Sequence, residues 1–163
     1  MRRMRFLGTL MALLATCAIT VAQEKNVAKD GNDKSKEPTL IFPAENIAPA
    51  SNNTGKVYLS MLKGNGNTMI THFHFTPGSR NFWHYHPGVE QTLLVLDGEG
   101  YYQEEGSPKR LIKKGDVIIS PANVSHWNGG TENSSLVCMT VTEHSVEGHV
   151  VQQRAVTDEE YRK

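Results

Sequence analysis

The chain has 163 residues, which is enough for one ordinary domain and too few for two. Its 17 basic and 17 acidic residues balance each other. No extended basic stripe with interleaved aromatic residues is present in the sequence, which argues against a nucleic-acid-binding protein. We therefore expect one domain that does not bind nucleic acid.

Residues 1–22 have the pattern of a secretory signal peptide. Three arginines in the first five residues precede an uncharged apolar run over residues 6–21, and Ala22 precedes a plausible cleavage point. The run is shorter than the ~20 apolar residues of a membrane-spanning helix, so we expect export to the periplasm or the medium without a membrane span. The alternative is a lipoprotein anchored through Cys17, which Thr16 and the apolar residues after Cys17 disfavour.

The segment that follows, residues 23–55, is expected to be a polar tether and lead-in. It is rich in charged and amide residues up to Pro38, and its first apolar cluster, at residues 40–42, should lie against the domain or lead into it. We assign the domain itself to residues 56–163. Signal-peptide cleavage would leave Cys138 as the only cysteine, so this domain would have to be stable without an intramolecular disulfide.

From Lys56 onward, short runs of β-branched, aromatic and aliphatic residues alternate with turn-forming residues. The predicted strands are 57–62, 69–76, 92–96, 101–103, 109–112, 117–120 and 136–142. Asp97-Gly98 and Gly129-Gly130 are among the dipeptides that predict the turns between them. Many short strands at close spacing indicate an all-β sandwich or closed barrel. The one helix signal is a capping box that begins at Thr157, which predicts a short C-terminal helical turn.

Three histidines lie in two spaced motifs that predict a metal site. The first motif, residues 78–98, contains His84 and His86, and the second, residues 115–126, ends at His126. Residues i and i+2 of a strand face the same side, so His84 and His86 should both point inward. A barrel can place His126 beside them from a distant strand. Imidazole is the commonest protein ligand for a borderline divalent metal ion.

The remaining histidines do not fit this pattern. His72 and His74 repeat the His-x-His spacing, but they lack the flanking glycine and a downstream ligand. We interpret these two as ordinary strand residues. His144 and His149 have no motif around them.

Both motifs resemble those of the cupin superfamily. The residues that carry the resemblance are 83–87, 91–93, 103–106, 115–117, 125–127 and 156–161. They are most similar to the small single-domain cupins related to carboxymuconolactone decarboxylase and to manganese-dependent hydroxynitrile lyases. This resemblance implies a jelly-roll barrel and one divalent first-row metal ion, manganese first, with iron, nickel or zinc as alternatives. It also implies a homodimer formed through an edge strand.

By this resemblance the metal ligands are His84, His86, Gln91 and His126. The wider superfamily has glutamate in the third place, which leaves Glu90 as the alternative to Gln91. The spacing to the next glycine fits Gln91, whereas the gap from His86 is one residue longer than the usual one. A neutral amide would leave the full charge on the metal and so make it a stronger Lewis acid than a carboxylate would.

Strand parity and the resemblance place Phe73, Phe82 and Cys138 on the pocket wall. Cys138 falls where hydroxynitrile lyases carry a histidine proposed as the general base, and a thiol is a poorer proton shuttle at neutral pH. Two hypotheses follow. One is a metal-dependent lyase, decarboxylase or dioxygenase that acts on a small oxygenated substrate, and the other is a non-catalytic module for a small ligand such as a sugar acid. A titratable group near the metal would distinguish the enzyme from the binding module.

Overall fold

The computed structural model describes residues 50–62, 66–145 and 148–163, and the backbone alone at residues 48 and 49. These residues belong to one compact unit, Glu37–Lys163. The predicted signal peptide and most of the predicted tether lie outside the described residues. In the part of the chain that is described, no helix is long and apolar enough to cross a membrane.

The described chain is built almost entirely from antiparallel strands. In chain order the elements are β1 (Ala48–Pro49), β2 (Asn53–Thr54), β3 (Val57–Leu62), β4 (Thr68–Phe75), β5 (Arg80–Asn81), β6 (His84–Tyr85), β7 (Gln91–Glu104), β8 (Arg110–Lys113), β9 (Val117–Ser120), β10 (His126–Gly130), β11 (Leu136–Glu143), β12 (Val151–Gln152) and α1 (Asp158–Arg162). Hydrogen-bonded neighbours run in the order β1-β3-β4-β11-β7-β10-β5-β2. Strands β8 and β9 pair with β7, and β6 lies between β10 and β12. The predicted all-β barrel with a short C-terminal helix is confirmed.

Strand β7 joins the two halves of the barrel. Its first half pairs with β9 and β11, and its second half pairs with β8 and β10. The turn predicted at Asp97-Gly98 is therefore wrong. Gly98 has a φ of +72° and bends β7 without ending it, and the register with β11 shifts between Val137 and Cys138. A Cβ atom on Gly98 would lie 1.9 Å from the carbonyl oxygen of Ser135, so the bend requires glycine.

The turn predicted at Gly129-Gly130 is also wrong, because both glycines lie inside β10. Strand β10 is packed closely between its neighbours. A Cβ atom on Gly129 would lie 2.4 Å from the carbonyl oxygen of Ser79. Glycine here allows a close approach of two backbones rather than a change of direction.

The segment predicted as a lead-in contributes strands to the barrel. Strand β1 pairs with β3, and β2 pairs with β5. Neither strand has the apolar alternation that predicts a strand from sequence, because each is only two residues long.

The inward side chains form two packed groups. The larger one fills the barrel and includes Phe75, Leu93, Val95, Tyr102, Ile112, Leu136 and Cys138. The smaller one, which we call the tryptophan cluster, consists of Trp83, Trp127, Val156 and Tyr161, with Tyr101 packed against it. Burial of this apolar surface is the main stabilising contribution to the fold.

Helix α1 is held against the tryptophan cluster by a capping box and a buried arginine. The Thr157 hydroxyl accepts from the Glu160 backbone N–H at 3.2 Å, and the Glu160 carboxylate accepts from the Thr157 N–H at 2.8 Å, as the sequence predicted. The Arg80 guanidinium lies 4.5 Å from the centre of the Tyr161 ring. It donates to the Asp158 carboxylate at 2.7 Å. The C-terminus is thereby tied to strand β5.

Candidate metal centre

Strand pairing brings together the three histidines of the sequence motifs. His84 begins β6, His126 begins β10, and the two residues are direct cross-strand partners. His86 follows β6, and all three side chains are buried. The ring centres of His84 and His126 are 4.4 Å apart, and that of His86 lies 5.5 and 5.6 Å from them. One nitrogen of each ring lies within 4.8 Å of the others, which is close enough to share one metal ion.

Backbone carbonyl groups fix the orientation of each ring. The Nδ1 atom of His84 is 2.9 Å from the Phe82 oxygen, that of His86 is 2.5 Å from the His149 oxygen, and that of His126 is 3.0 Å from the Val124 oxygen. Because a carbonyl oxygen can only accept, each Nδ1 carries the proton and each Nε2 keeps its lone pair. This is the arrangement in which a histidine binds a metal through Nε2.

Two of these lone pairs have no protein partner. The Nε2 atoms of His86 and His126 are buried without a hydrogen-bond partner. A buried polar atom left in this state costs roughly 1–3 kcal/mol. A metal ion between the rings would satisfy both atoms, so the residues present fit such an ion.

Burial also keeps these imidazoles neutral. Loss of hydration lowers the pKa of His84 to about 4. Loss of hydration, with repulsion from the His84 ring, lowers the pKa of His126 to about 3. Burial lowers the pKa of His86 as well. A metal ion therefore meets little competition from protons at neutral pH.

Gln91 lies beside the histidines, and Glu90 does not. Gln91 begins β7, is 6% exposed and lines the same cavity as His84 and His86. Its amide nitrogen donates to the Thr142 hydroxyl at 3.3 Å. Glu90 is exposed and faces a separate hollow on the surface.

A cavity of about 320 Å³ opens beside His84 and His86. Apolar side chains on its wall are Leu59, Met61, Met69, Phe73 and Val150, and amide side chains are Asn52, Asn53, Asn81, Gln91 and Gln152. Among the described residues that line it, none is Lys, Arg, Asp or Glu. The amides of residues 52, 53 and 152 come from segments without a sequence motif, so the sequence carried no signal for them.

The three residues expected on the pocket wall have different positions. Phe73 lines the cavity, but Phe82 and Cys138 do not. Cys138 faces the barrel interior as the cross-strand partner of Phe73, and it is fully buried. Thr140, two residues further along the same strand, lines the cavity. Burial raises the pKa of the Cys138 thiol, which keeps it protonated. Phe82 contributes its carbonyl oxygen to the site through His84 instead of its ring.

The chain is similar to several known proteins. Residues 71–142 match the family model of the Cupin domain. The (R)-mandelonitrile lyase of Granulicella tundricola is 37% identical over 90 residues, which cover 55% of this chain and 67% of that protein. The crystal structure of a cupin-like protein from Thermotoga maritima has 40% identity and a TM-score of 0.68, covering 75% of this chain and 94% of that one. A predicted oxalate decarboxylase from the same organism has 27% identity and a TM-score of 0.55, covering 60% and 90%.

Proposed function

The chain belongs to the cupin family, and on that basis we propose that it is a metal-dependent enzyme acting on a small oxygen-bearing organic molecule. The observation that supports this most directly is the meeting of three buried, neutral imidazoles beside an open cavity. A bound divalent metal ion would supply Lewis-acid polarisation of an oxygen of the bound molecule.

The proposed ligands are His84, His86, His126 and Gln91. Three imidazole nitrogens and one neutral amide oxygen accept several first-row ions, with manganese as our first choice and iron, nickel or zinc as the alternatives. Four protein ligands would leave coordination positions open on a six-coordinate ion. Those positions could take an oxygen of the substrate.

The lining of the cavity favours an uncharged, partly apolar substrate. Leu59, Phe73 and Val150 offer contacts to an apolar body, and Asn81 and Gln152 offer donors to oxygen. No described cationic side chain lines the cavity, so a carboxylate would have the metal ion as its positively charged partner there. The cavity volume, about 320 Å³, is at the small end of the range for ligand pockets, so the substrate should be small.

Cyanohydrin cleavage is the first reaction to test, because a relative with 37% identity is a mandelonitrile lyase. Mandelonitrile is neutral and has an aromatic body and one hydroxyl, which fits the lining of the cavity. Cys138 would not act as the base, since it is buried in the core behind Phe73 and Thr140. The general base would therefore differ from that of a lyase with a histidine at this position.

The alternative is a non-catalytic module that binds a small ligand through the same metal. One observation favours it: among the described residues lining the cavity, the histidines of the metal centre are the only ones with an ionisable side chain. An enzyme normally places a further acid or base near the reacting atoms. Substrate turnover separates the two functions.

The metal centre is tested by elemental analysis of the mature domain purified without added metal. We expect about one first-row metal ion per chain in the wild type and in His74→Ala, a matched histidine variant outside the site. His126→Ala should contain only background metal. Substoichiometric metal in all three proteins would overturn the metal centre.

The enzyme is tested by following release of benzaldehyde from mandelonitrile. Turnover by the wild type and by His74→Ala, with loss of turnover in His126→Ala, would support the lyase. A metal-loaded wild type that binds mandelonitrile in calorimetry without turning it over would support the binding module instead.

Export and dimerisation are further proposals. Export rests on the N-terminal sequence, and mass spectrometry of the secreted or periplasmic fraction should find a mature chain beginning at Gln23. A dimer through β9 is supported by the exposed side chains of Val117 and Ile119, which are 58% and 56% accessible. Ile119→Glu should convert a dimer into a monomer in analytical ultracentrifugation, and a wild-type monomer would contradict the proposal.

A further inference from the structure

A second pair of histidines lies outside the metal centre. His144 and His149 lie between β11 and β12 in the chain, and their ring centres are 3.9 Å apart at an interplanar angle of 82°. The His149 carbonyl oxygen contacts the His86 Nδ1 atom, so the second pair is in direct contact with the first site. The function proposed above uses neither of these two imidazole rings.

Two methionines share a hollow with this pair. His144, His149, Met61 and Met69 line one cavity of about 260 Å³. Met61 is 62% exposed, so its side chain can be reached from solvent. No described Asp or Glu lines this hollow, so its available donors are imidazole nitrogens and thioether sulfurs.

One of these donors lacks a partner. The Nδ1 atom of His149 is buried and makes no hydrogen bond in the described structure. Such an atom carries a desolvation cost unless something binds it. An imidazole nitrogen without a partner, on a residue that shares a hollow with two methionines, points to a ligand that accepts electron pairs.

We propose that His144, His149, Met61 and Met69 bind a soft monovalent metal ion, with cuprous copper as the best match. Soft thioether and borderline imidazole donors select Cu(I) over the hard ions that need carboxylate or carbonyl oxygen. All four donors are neutral, so they leave a charge of +1 at a partly exposed position, where its desolvation costs little. The site does not depend on the metal centre proposed above.

The two sites share a wall. Met61 and Met69 also line the larger cavity beside His84 and His86, and the His149 backbone holds the His86 ring. Copper binding would fix the positions of the two methionine side chains and of the His149 ring. The second site could thus change the shape of the first cavity without contributing a ligand to it.

The test is an anaerobic titration of the full chain with Cu(I) in competition with bicinchoninate. The wild type should remove about one copper ion per chain from the indicator. His144→Ala and the double variant Met61→Leu/Met69→Leu should bind at least roughly tenfold more weakly, because even loss of an outer partner of a metal ligand has that effect. His74→Ala and Met139→Leu are matched controls that should bind as the wild type does.

A His126→Ala variant shows which site holds the copper. We expect it to keep its Cu(I) while losing the metal of the first site. Failure of the metal centre and failure of this proposal are therefore separate outcomes. Copper lost in His126→Ala, or lost equally in the controls, would overturn the copper site, as would a wild type that leaves the indicator fully loaded.

X-ray absorption at the copper edge provides a second measurement. Sulfur neighbours around Cu(I) are expected in the wild type and should disappear in the double methionine variant. A wild-type spectrum with nitrogen and oxygen neighbours alone would also overturn the proposal. Leucine closely matches the volume of methionine, so this variant should keep the fold.

Discussion

The same spacing, His-x-His, occurs twice in this protein with opposite outcomes. His84 and His86 face the interior, where a third histidine meets them. His72 and His74 lie in β4 and alternate with Thr71 and Phe73, which line the cavity, so their own side chains lie on the other face of the strand, where His72 is fully buried. His74 packs edge-on against Tyr58 of the neighbouring strand, with ring centres 6.5 Å apart.

This comparison shows what a two-residue spacing determines. It places two side chains on one face of a strand, but it does not determine which face. The face of β4 follows from its apolar residues, since Phe73 and Phe75 must be buried together. The pair at residues 84 and 86 differs in that a backbone carbonyl group binds the Nδ1 atom of each ring. Each Nε2 atom is thereby left available for a metal ion.

The largest expected difference between the two pairs is in metal retention. His84→Ala should lose its metal entirely after dialysis, because one of three imidazole ligands is gone. His74→Ala should keep about one ion per chain. Elemental analysis of the two dialysed variants measures this directly. Equal metal retention by both would contradict metal binding by the pair at residues 84 and 86.

The next difference is in acid stability. The folded-state pKa values of about 4 for His84 and about 3 for His126 lie below the unfolded value near 6.5. Between these limits the unfolded chain binds more protons than the folded one, so metal-free protein loses stability as the pH falls from about 6.5. The loss should approach about 1.4 kcal/mol per pH unit for each histidine.

Urea unfolding of the metal-free protein between pH 7 and pH 4.5 tests this. His126→Gln should flatten the pH dependence of the free energy of unfolding more than His74→Gln does, although burial lowers the pKa of His74 too. Equal slopes for the wild type and His126→Gln would contradict the prediction.

A smaller effect distinguishes Gln91 from Glu90. Gln91→Leu should weaken metal binding by roughly 10–100-fold, since it removes an oxygen ligand while filling the same space. Glu90→Gln removes a charge at an exposed position outside the cavity and should leave the affinity unchanged. Competition with a chelator gives both affinities, and a larger loss in Glu90→Gln would reverse the ligand assignment.

The smallest effect concerns the group that orients Gln91. Thr142→Val removes the hydroxyl that accepts from the Gln91 amide at 3.3 Å, at a cost of about 0.5–1.5 kcal/mol. Metal affinity should fall by less than roughly tenfold, in line with that energy. Thr140→Val is the matched control on the same strand, and chelator competition should show no change for it.

Sequence patterns predicted the elements with strong alternation or explicit caps. Strands β3 and β9 and the capping box of α1 lie where the patterns indicated. The errors occurred at glycines, because the same residue type serves a turn, a bend inside a strand and a close approach of two strands. Which of these a glycine serves depends on distant neighbours such as Ser135 beside Gly98.

The candidate site follows the same division. The motifs predicted the three histidines because their spacing is local. The choice between Gln91 and Glu90 depends on which one faces Thr142, 51 residues further along the chain, and this needs the register of β7 with β11. The amides of the cavity wall come from short segments without a pattern, so only the folded chain reveals them.

The tryptophan cluster gives the protein a built-in optical probe. The chain has two tryptophans, and they are Trp83 and Trp127, each directly adjacent in sequence to a metal-centre histidine. Their rings pack edge-on with centres 6.5 Å apart, and Tyr161 of the C-terminal helix packs in the same cluster. Intrinsic fluorescence therefore reports on a single place, where the arrival of a paramagnetic ion and the release of the C-terminus would both be visible without a label.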